Sequence, residues 1–191
     1  MEPIEVLWIV LFLMFGAIGL VRGFLKELGV TTTTFVAIYV ISEVLEGRGV
    51  MDGLLGRAGE VVPAFATLTA EDPRRSLVRF IIYLLFMVFM VFISYHGETL
   101  KFGGSPPKGL AGALLSLMVG LLNGYLIVGT LWYYLDRLNY PTRLLGLYQG
   151  ELSPLAKALR SLLLFNLLPE NLREPVLLFF IIFLIIARVI R

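Results

Sequence analysis

Two polar side chains occupy the same position in a segment that occurs twice, which makes them the residues best placed to do chemistry. The segment GLVRGFL at 19–25 returns as GLLNGYL at 120–126, each time inside a long apolar run. Arg22 in the first copy and Asn123 in the second precede the second glycine. Because polar side chains are costly at membrane depth, a repeated one predicts a functional site.

The chemistry available at these positions is hydrogen bonding and charge. Asn123 lies deep in its apolar run and cannot reach water, so we expect it to bond to another helix. Arg22 lies at the end of the first apolar run, where its guanidinium can reach water or phosphate headgroups. This position favours such a role over a buried contact with Asn123 or Glu27. With Lys26 and Glu27, Arg22 is expected to form a brief charged hairpin between two spans. Arg22, Lys26, Glu27 and Asn123 are therefore the polar candidates.

Small residues in the same two runs predict a helix-packing seam. Small side chains let two backbones approach closely in lipid, where dispersion and hydrogen bonds hold helices together. In the second run these residues follow one another at intervals of four and share one helix face. The predicted seam, internal or with a partner, consists of Gly16, Gly19, Gly23, Gly112, Ser116, Gly120 and Gly124.

The relation between the two copies has two interpretations. An odd number of membrane crossings separates them, so their chain directions are opposite. Inverted repeats of this kind surround the binding sites of many transporters. The alternative is that glycine-rich helices simply resemble one another.

Other kinds of chemistry have little support. The chain has no cysteine and a single histidine, His96, so thiolate metal sites and a pair of histidine ligands are excluded. No nucleophile–base pair can be assembled, and we expect neither enzymatic activity nor a cofactor or metal. The formal net charge is +2, and the basic residues are scattered, which argues against nucleic-acid binding.

Composition indicates the elements that must position the candidates. The chain is 58% hydrophobic and 16% charged, against about 25% charged in ordinary soluble domains. This predicts an all-α, polytopic membrane helix bundle with four or five spans and a C-terminal amphipathic helix. The expected spans are Ile4–Val21, Leu28–Leu45, Leu77–Tyr95 and Gly109–Leu135. The apolar segment Val176–Ala187 is short for a membrane span. It is interpreted either as a fifth span or as a re-entrant or groove-packed segment.

The remaining segments are expected outside the hydrocarbon layer. Residues 46–76 read as an extramembrane loop in which Met51–Phe65 forms a short interfacial helix. A surface helix between Pro154 and Pro169 is predicted to place Leu155, Leu159, Leu162, Leu163 and Leu167 on one face. The division is thus a bundle at 1–150, followed by an amphipathic helix and an apolar segment at 151–191. The positive-inside rule favours an outside N-terminus with both short basic loops in the cytoplasm.

Two motifs resemble the colicin V production protein (CvpA) family of bacterial membrane proteins. They are GxxRGFxKE at 19–27 and GxxxG at 120–124 followed by LIV at 126–128, and the resemblance extends roughly from Met1 to Pro169. The family often has arginine where this chain has Asn123, and the apolar segment 176–190 is additional. The resemblance implies a multi-pass plasma-membrane (inner-membrane) protein linked to colicin V production or export and to envelope physiology.

Three functions remain open at this point. The first is a non-enzymatic membrane scaffold or export protein, whose partners are the lipid bilayer and other membrane proteins or a second copy of the chain. The second is a small transporter or channel subunit. The third is an accessory subunit of a larger energy-transducing membrane complex.

Overall fold

A computed structural model describes residues 3–62, 65, 72–96, 108–146 and 152–189, and all regular structure in those ranges is helical. Five of the helices described in those ranges have 16 or more residues, and shorter helical segments lie between them. The elements are α1 (Pro3–Arg22), α2 (Phe24–Tyr39, continued as a π-helical segment at Val40–Gly47), α3 (Val50–Val61), α4 (Pro73–His96), α5 (Gly109–Arg137), a 3₁₀ turn (Pro141–Leu145), α6 (Pro154–Ser161), α7 (Leu164–Leu167) and α8 (Glu170–Val189).

Four helices are long and apolar enough to cross a membrane: α1, α2 with its π-helical segment, α4 and α5. The predicted all-α bundle of membrane type is thereby confirmed. About half of α2 and of α5 is buried inside the protein, against 22% of α1 and 17% of α4. The second and fourth spans therefore form the centre of the bundle, and large apolar side chains of α1 and α4 face outward.

Contacts between side chains give the directions of the helices. Trp8 near the start of α1 contacts Trp132 near the end of α5, with ring centroids 6.0 Å apart, so these helices are antiparallel. Tyr83 of α4 contacts Tyr134 of α5, with centroids 4.9 Å apart. One end of the bundle, here called the α3 end, holds the start of α1 together with α3 and α6. The other, the Arg22 end, holds the α1–α2 junction.

The predicted charged hairpin at 22–27 is wrong. The second helix starts at Phe24, four residues before the predicted Leu28, and Gly23 is the only residue outside helical structure at the junction. Gly23 has φ +89° and ψ 156°, a backbone conformation open almost only to glycine. The chain thus changes direction at one residue, and Glu27 becomes part of the first turn of α2.

The C-terminal part differs from the prediction as well. The expected single surface helix breaks after Ser161, because Leu163 is extended (ψ 143°) before α7 begins. Leu163 is buried while Leu155 and Leu162 are exposed, so the five leucines do not share a face. The structure also extends the apolar C-terminal segment to the 20-residue α8. It packs against α2 through stacked rings of Phe35 and Phe180, 5.1 Å apart, and is not among the four candidate spans.

Replacing Gly23 by alanine should destabilise the protein through backbone strain alone. A Cβ at Gly23 would meet nothing within 4 Å, so no steric clash contributes. An L residue held in this φ/ψ region costs about 1–3 kcal/mol. We expect Gly23→Ala to lower the thermal unfolding midpoint of the detergent-purified protein.

Gly53→Ala is the matched control for this substitution. A Cβ at Gly53 also meets nothing within 4 Å, but Gly53 lies inside α3 and its φ is not positive. Alanine there should stabilise the helix by about 0.5–1 kcal/mol. Equal midpoints for the two variants would show that the junction does not depend on the conformation of Gly23.

Candidate functional site

The two copies of the repeated segment pack directly against each other. A Cβ added to Gly19 would stand 2.5 Å from the Ser116 carbonyl oxygen and 2.8 Å from the Gly120 Cα. One added to Gly120 would stand 2.6 Å from the Phe15 carbonyl oxygen. These distances leave no room for a side chain at either glycine. The seam is therefore an internal α1–α5 interface, in which backbone contacts backbone.

The other seam candidates divide into members and one exception. A Cβ at Gly16 would stand 2.7 Å from Leu121 Cδ2, and one at Gly124 would stand 3.0 Å from Phe15 Cβ. Gly112 and Ser116 are buried, and the Ser116 hydroxyl donates to the Gly112 carbonyl oxygen at 2.7 Å. Gly23 lies outside the seam, since its Cβ would meet no atom, and its function is the reversal between α1 and α2.

Beside this seam, the Glu27 carboxylate lies wholly buried between helices. Its Oε2 accepts hydrogen bonds from Asn123 Nδ2 at 2.9 Å and from the Tyr95 hydroxyl at 3.2 Å. Its Oε1 lies 3.4 Å from Arg22 Nη1, which completes an ion pair. A buried carboxylate is tolerated only when it is paired and hydrogen-bonded, and Glu27 has partners on both oxygens.

Asn123 connects α5 to α2 through both ends of its amide. Its Nδ2 also donates to the Glu27 backbone carbonyl at 3.1 Å. The Thr31 hydroxyl lies 2.7 Å from Asn123 Oδ1 and 3.0 Å from the Glu27 carbonyl oxygen, and it has one proton for these two acceptors. Thr32 and Thr33 bond back to the preceding turn of α2. Asn123 is thus held by α2 alone, at a fully buried position.

Arg22 closes the cluster from the side of α1. Its guanidinium lies 4.2 Å from the Tyr95 ring centroid, and its Nη2 donates to the Tyr95 backbone oxygen at 3.3 Å. The Arg22 side chain is 21% exposed. The expectation that the Arg22 guanidinium mainly contacts water or phosphate headgroups is therefore wrong. Its contacts within the protein are with Glu27 and with the Tyr95 ring. Lys26 is exposed and takes no part in the cluster.

These contacts define what we call the Glu27 cluster: Arg22, Glu27, Thr31, Tyr95 and Asn123. Its members come from α1, α2, α4 and α5, so one set of hydrogen bonds joins all four candidate spans. Arg22 and Glu27 balance in charge, and the chemistry available is hydrogen bonding and the uptake or release of a proton. In the described ranges, no group of three or more His, Cys, Asp or Glu residues could hold a metal ion.

Tyr95 was not predicted as a partner, and Glu27, although named as a polar candidate, was expected in a charged hairpin between two spans. The spacing of Glu27 and Thr31 was a usable signal, because residues four apart lie on the same helix face. A second buried carboxylate was missed entirely. Glu5 is fully buried, and its Oε1 accepts from the Ala156 backbone N–H in the first turn of α6 at 3.1 Å. Nothing local in the sequence links these residues, which lie at opposite ends of the chain.

At the α3 end, Glu46 and Tyr83 form a further polar pair. The Tyr83 hydroxyl donates to Glu46 Oε1 and joins the π-helical segment to α4. The sequence carries no local signal for this pair, because its members are distant in the chain and neither belongs to the repeated segment. The α2–α4 interface therefore carries a hydrogen-bonded carboxylate near each end.

Comparison with known proteins adds no family assignment: the chain matches no protein-family model, no curated protein and no solved structure. The class of protein is thus defined by the structure itself. It is an all-α bundle with four helices that can span a membrane, held by an internal glycine seam and the Glu27 cluster.

Overfilling the seam should separate α1 from α5. In Gly120→Ala the new methyl group meets the backbone of Phe15 and Gly19, which cannot move aside as a side-chain tip can. Overfilling a close-packed site costs about 1–3 kcal/mol. We expect a lower unfolding midpoint in mild detergent. The matched control is Gly56→Ala in α3, where the Cβ meets nothing within 4 Å, and a midpoint of Gly120→Ala at or above that control would contradict the seam.

A double-mutant cycle can measure the bond between Glu27 and Asn123. Each single leucine substitution leaves a buried polar partner short of a hydrogen bond, whereas the double variant leaves two apolar side chains. We therefore expect Glu27→Leu with Asn123→Leu to be less destabilised than the sum of the singles. The coupling should be about 0.6 kcal/mol, the average for such bonds in membranes, and at most about 1.7.

The control cycle combines Asn123→Leu with Lys26→Gln, since Lys26 is exposed and outside the cluster. These two changes should add to within about 0.5 kcal/mol. Unfolding free energies in mixed micelles give both couplings. Additive effects in the Glu27 cycle would contradict the direct interaction.

Proposed function

We propose that this chain is a non-enzymatic scaffold protein of the bacterial plasma membrane, which supports export by binding other membrane proteins. The observation that carries the proposal is the Glu27 cluster. Both carboxylate oxygens have partners within the protein, and those partners come from the three candidate spans other than the one that carries Glu27. Such a cluster holds the helices in one arrangement, which is what a scaffold requires of its interior.

The outer surface supports the same proposal. Helices α4 and α8 expose large apolar side chains, among them Phe89, Phe92, Phe179 and Phe183, each more than half exposed. Aromatic side chains supply much of the energy of protein interfaces. In a bilayer this surface is available both to lipid and to apolar helices of partner proteins. The resemblance of the motifs at 19–27 and 120–128 to the CvpA family further favours export and envelope physiology.

A small transporter subunit is the second candidate, and Glu27 favours it specifically. An ionisable side chain within a membrane segment is often part of an ion or proton pathway. Glu27 lies within hydrogen-bond distance of the Tyr95 hydroxyl and the Asn123 amide, so it could exchange a proton with a neighbouring group. The two candidates make different demands on this carboxylate: transport needs it to ionise, and a scaffold needs only its hydrogen bonds.

Substitution of Glu27 by glutamine separates the two candidates. The amide oxygen keeps an acceptor for Asn123 and Tyr95, but the side chain cannot titrate. It also loses the ion pair with Arg22, whose guanidinium keeps its contacts with the Tyr95 ring and backbone oxygen. The assay is the release of colicin V by a producing bacterium that lacks its own CvpA-family protein and expresses this chain. We expect wild-type chain and Glu27→Gln to restore release to the same extent, within about twofold.

Three other outcomes count against the scaffold proposal. No restoration by the wild-type chain would contradict the link to export. Restoration by the wild type but not by a normally folded Glu27→Gln would favour the transporter. Proton flux through liposomes that contain purified wild-type protein, abolished in Glu27→Gln, would also favour the transporter. Gly53→Ala, outside every proposed site, is the control for expression and membrane insertion.

A further inference from the structure

We infer that a cavity at the α3 end binds the phosphate of an anionic phospholipid headgroup. The cavity is a cleft that is open on one side, with a volume of about 410 Å³. It lies beyond the C-terminal end of α5, between that end and α6. Its lining comprises Asp136, Asn139, Tyr140, Arg143, Leu152, Lys157 and Arg160. This inference is independent of the proposed function and uses none of the residues of the Glu27 cluster.

The charge of the lining selects an anion. Three cationic side chains, Arg143, Lys157 and Arg160, face one carboxylate, Asp136. Asp136 binds Arg160 through Nη1 alone, at 3.0 and 3.4 Å. Within the described part of the chain, the ammonium group of Lys157 has no ion-pair partner. Lys157 therefore adds a positive charge to the lining beyond the Asp136–Arg160 pair.

The backbone at the cavity is held in an unusual conformation. Asn139 and Tyr140 have φ +58° and +51°, and they are the two non-glycine residues with positive φ in the described ranges. Such residues cost about 1–3 kcal/mol each and persist where the surroundings fix them, often at ligand sites. Here Tyr140 is fixed by burial and by the Trp132 indole N–H, which donates to its hydroxyl at 3.1 Å. The turn thus gives the cavity a fixed wall.

The surroundings of the cavity favour a lipid over a free anion. The cavity begins at Asp136, at the end of a helix that is apolar enough to span the membrane, which is the level of the headgroups. Leucines adjacent to the cationic residues in sequence are exposed: Leu144 and Leu145 follow Arg143, and Leu155 lies two residues before Lys157. They provide an apolar surface for acyl chains beside a cationic pocket for phosphate. Lys and Arg side chains close to a membrane surface attract anionic lipid headgroups.

Native mass spectrometry of the full chain in neutral detergent tests the inference. The probes are phosphatidylglycerol, the zwitterionic phosphatidylcholine and inorganic phosphate. We expect phosphatidylglycerol to bind more tightly than phosphatidylcholine. Removal of one surface cation weakens such binding by about fivefold, so Lys157→Gln should raise the apparent Kd by about that factor, whereas Lys157→Arg should keep the wild-type value.

Arg57→Gln is the matched control, because Arg57 is an exposed cation on α3 outside the cavity. It removes the same charge and should leave the Kd within about twofold. Equal effects of Lys157→Gln and Arg57→Gln would overturn the inference in favour of a general effect of net charge. Equal binding of the two lipids would also overturn it. Binding of inorganic phosphate that requires Lys157 and is not displaced by phosphatidylglycerol would identify a free-anion site and overturn the lipid assignment.

Discussion

The close approach of α1 and α5 at Gly19 and Gly120 is the constraint on which the rest of the structure depends. Only backbones without side chains can come this near, and the contact sets the height at which α1 ends against α5. Because α1 ends there, the reversal at Gly23 brings Glu27 level with Asn123. The glycine seam and the polar cluster are thus two consequences of one interface. A methyl group in the first would disturb the second.

The burial of Glu27 shows how a charge becomes acceptable inside an apolar bundle. Desolvation alone would strongly disfavour the ionised carboxylate. Three helices other than its own supply the compensating groups: Arg22 from α1, Tyr95 from α4 and Asn123 from α5. The cluster therefore forms only when all four helices have assembled. Its hydrogen bonds and ion pair stabilise the correct arrangement of the helices. Any arrangement that leaves the carboxylate buried without partners is destabilised.

Sequence patterns predicted the helices and the seam residues better than the polar contacts, and the reason is physical. Hydropathy and the spacing of small residues are local properties, so the long apolar helices and the glycine face of α5 were recognisable. The environment of Glu27 depends on residues up to 96 positions away, and its charge alone suggested a loop. The same holds for Glu5, whose partner Ala156 belongs to the other end of the chain. Gly23 was predicted as a seam residue because its spacing fits, although its positive φ is set by the turn.

The two halves of the seam are separated by about a hundred residues of sequence, which has a consequence for biogenesis. At a synthesis rate of about 5–20 residues per second, α1 enters the membrane about 5–20 seconds before α5 is made. During that interval the glycine face of α1 cannot contact α5. Arg22 and Glu27, which are five residues apart, can already form their ion pair. The seam can therefore form only at the end of this interval, after α5 has been made.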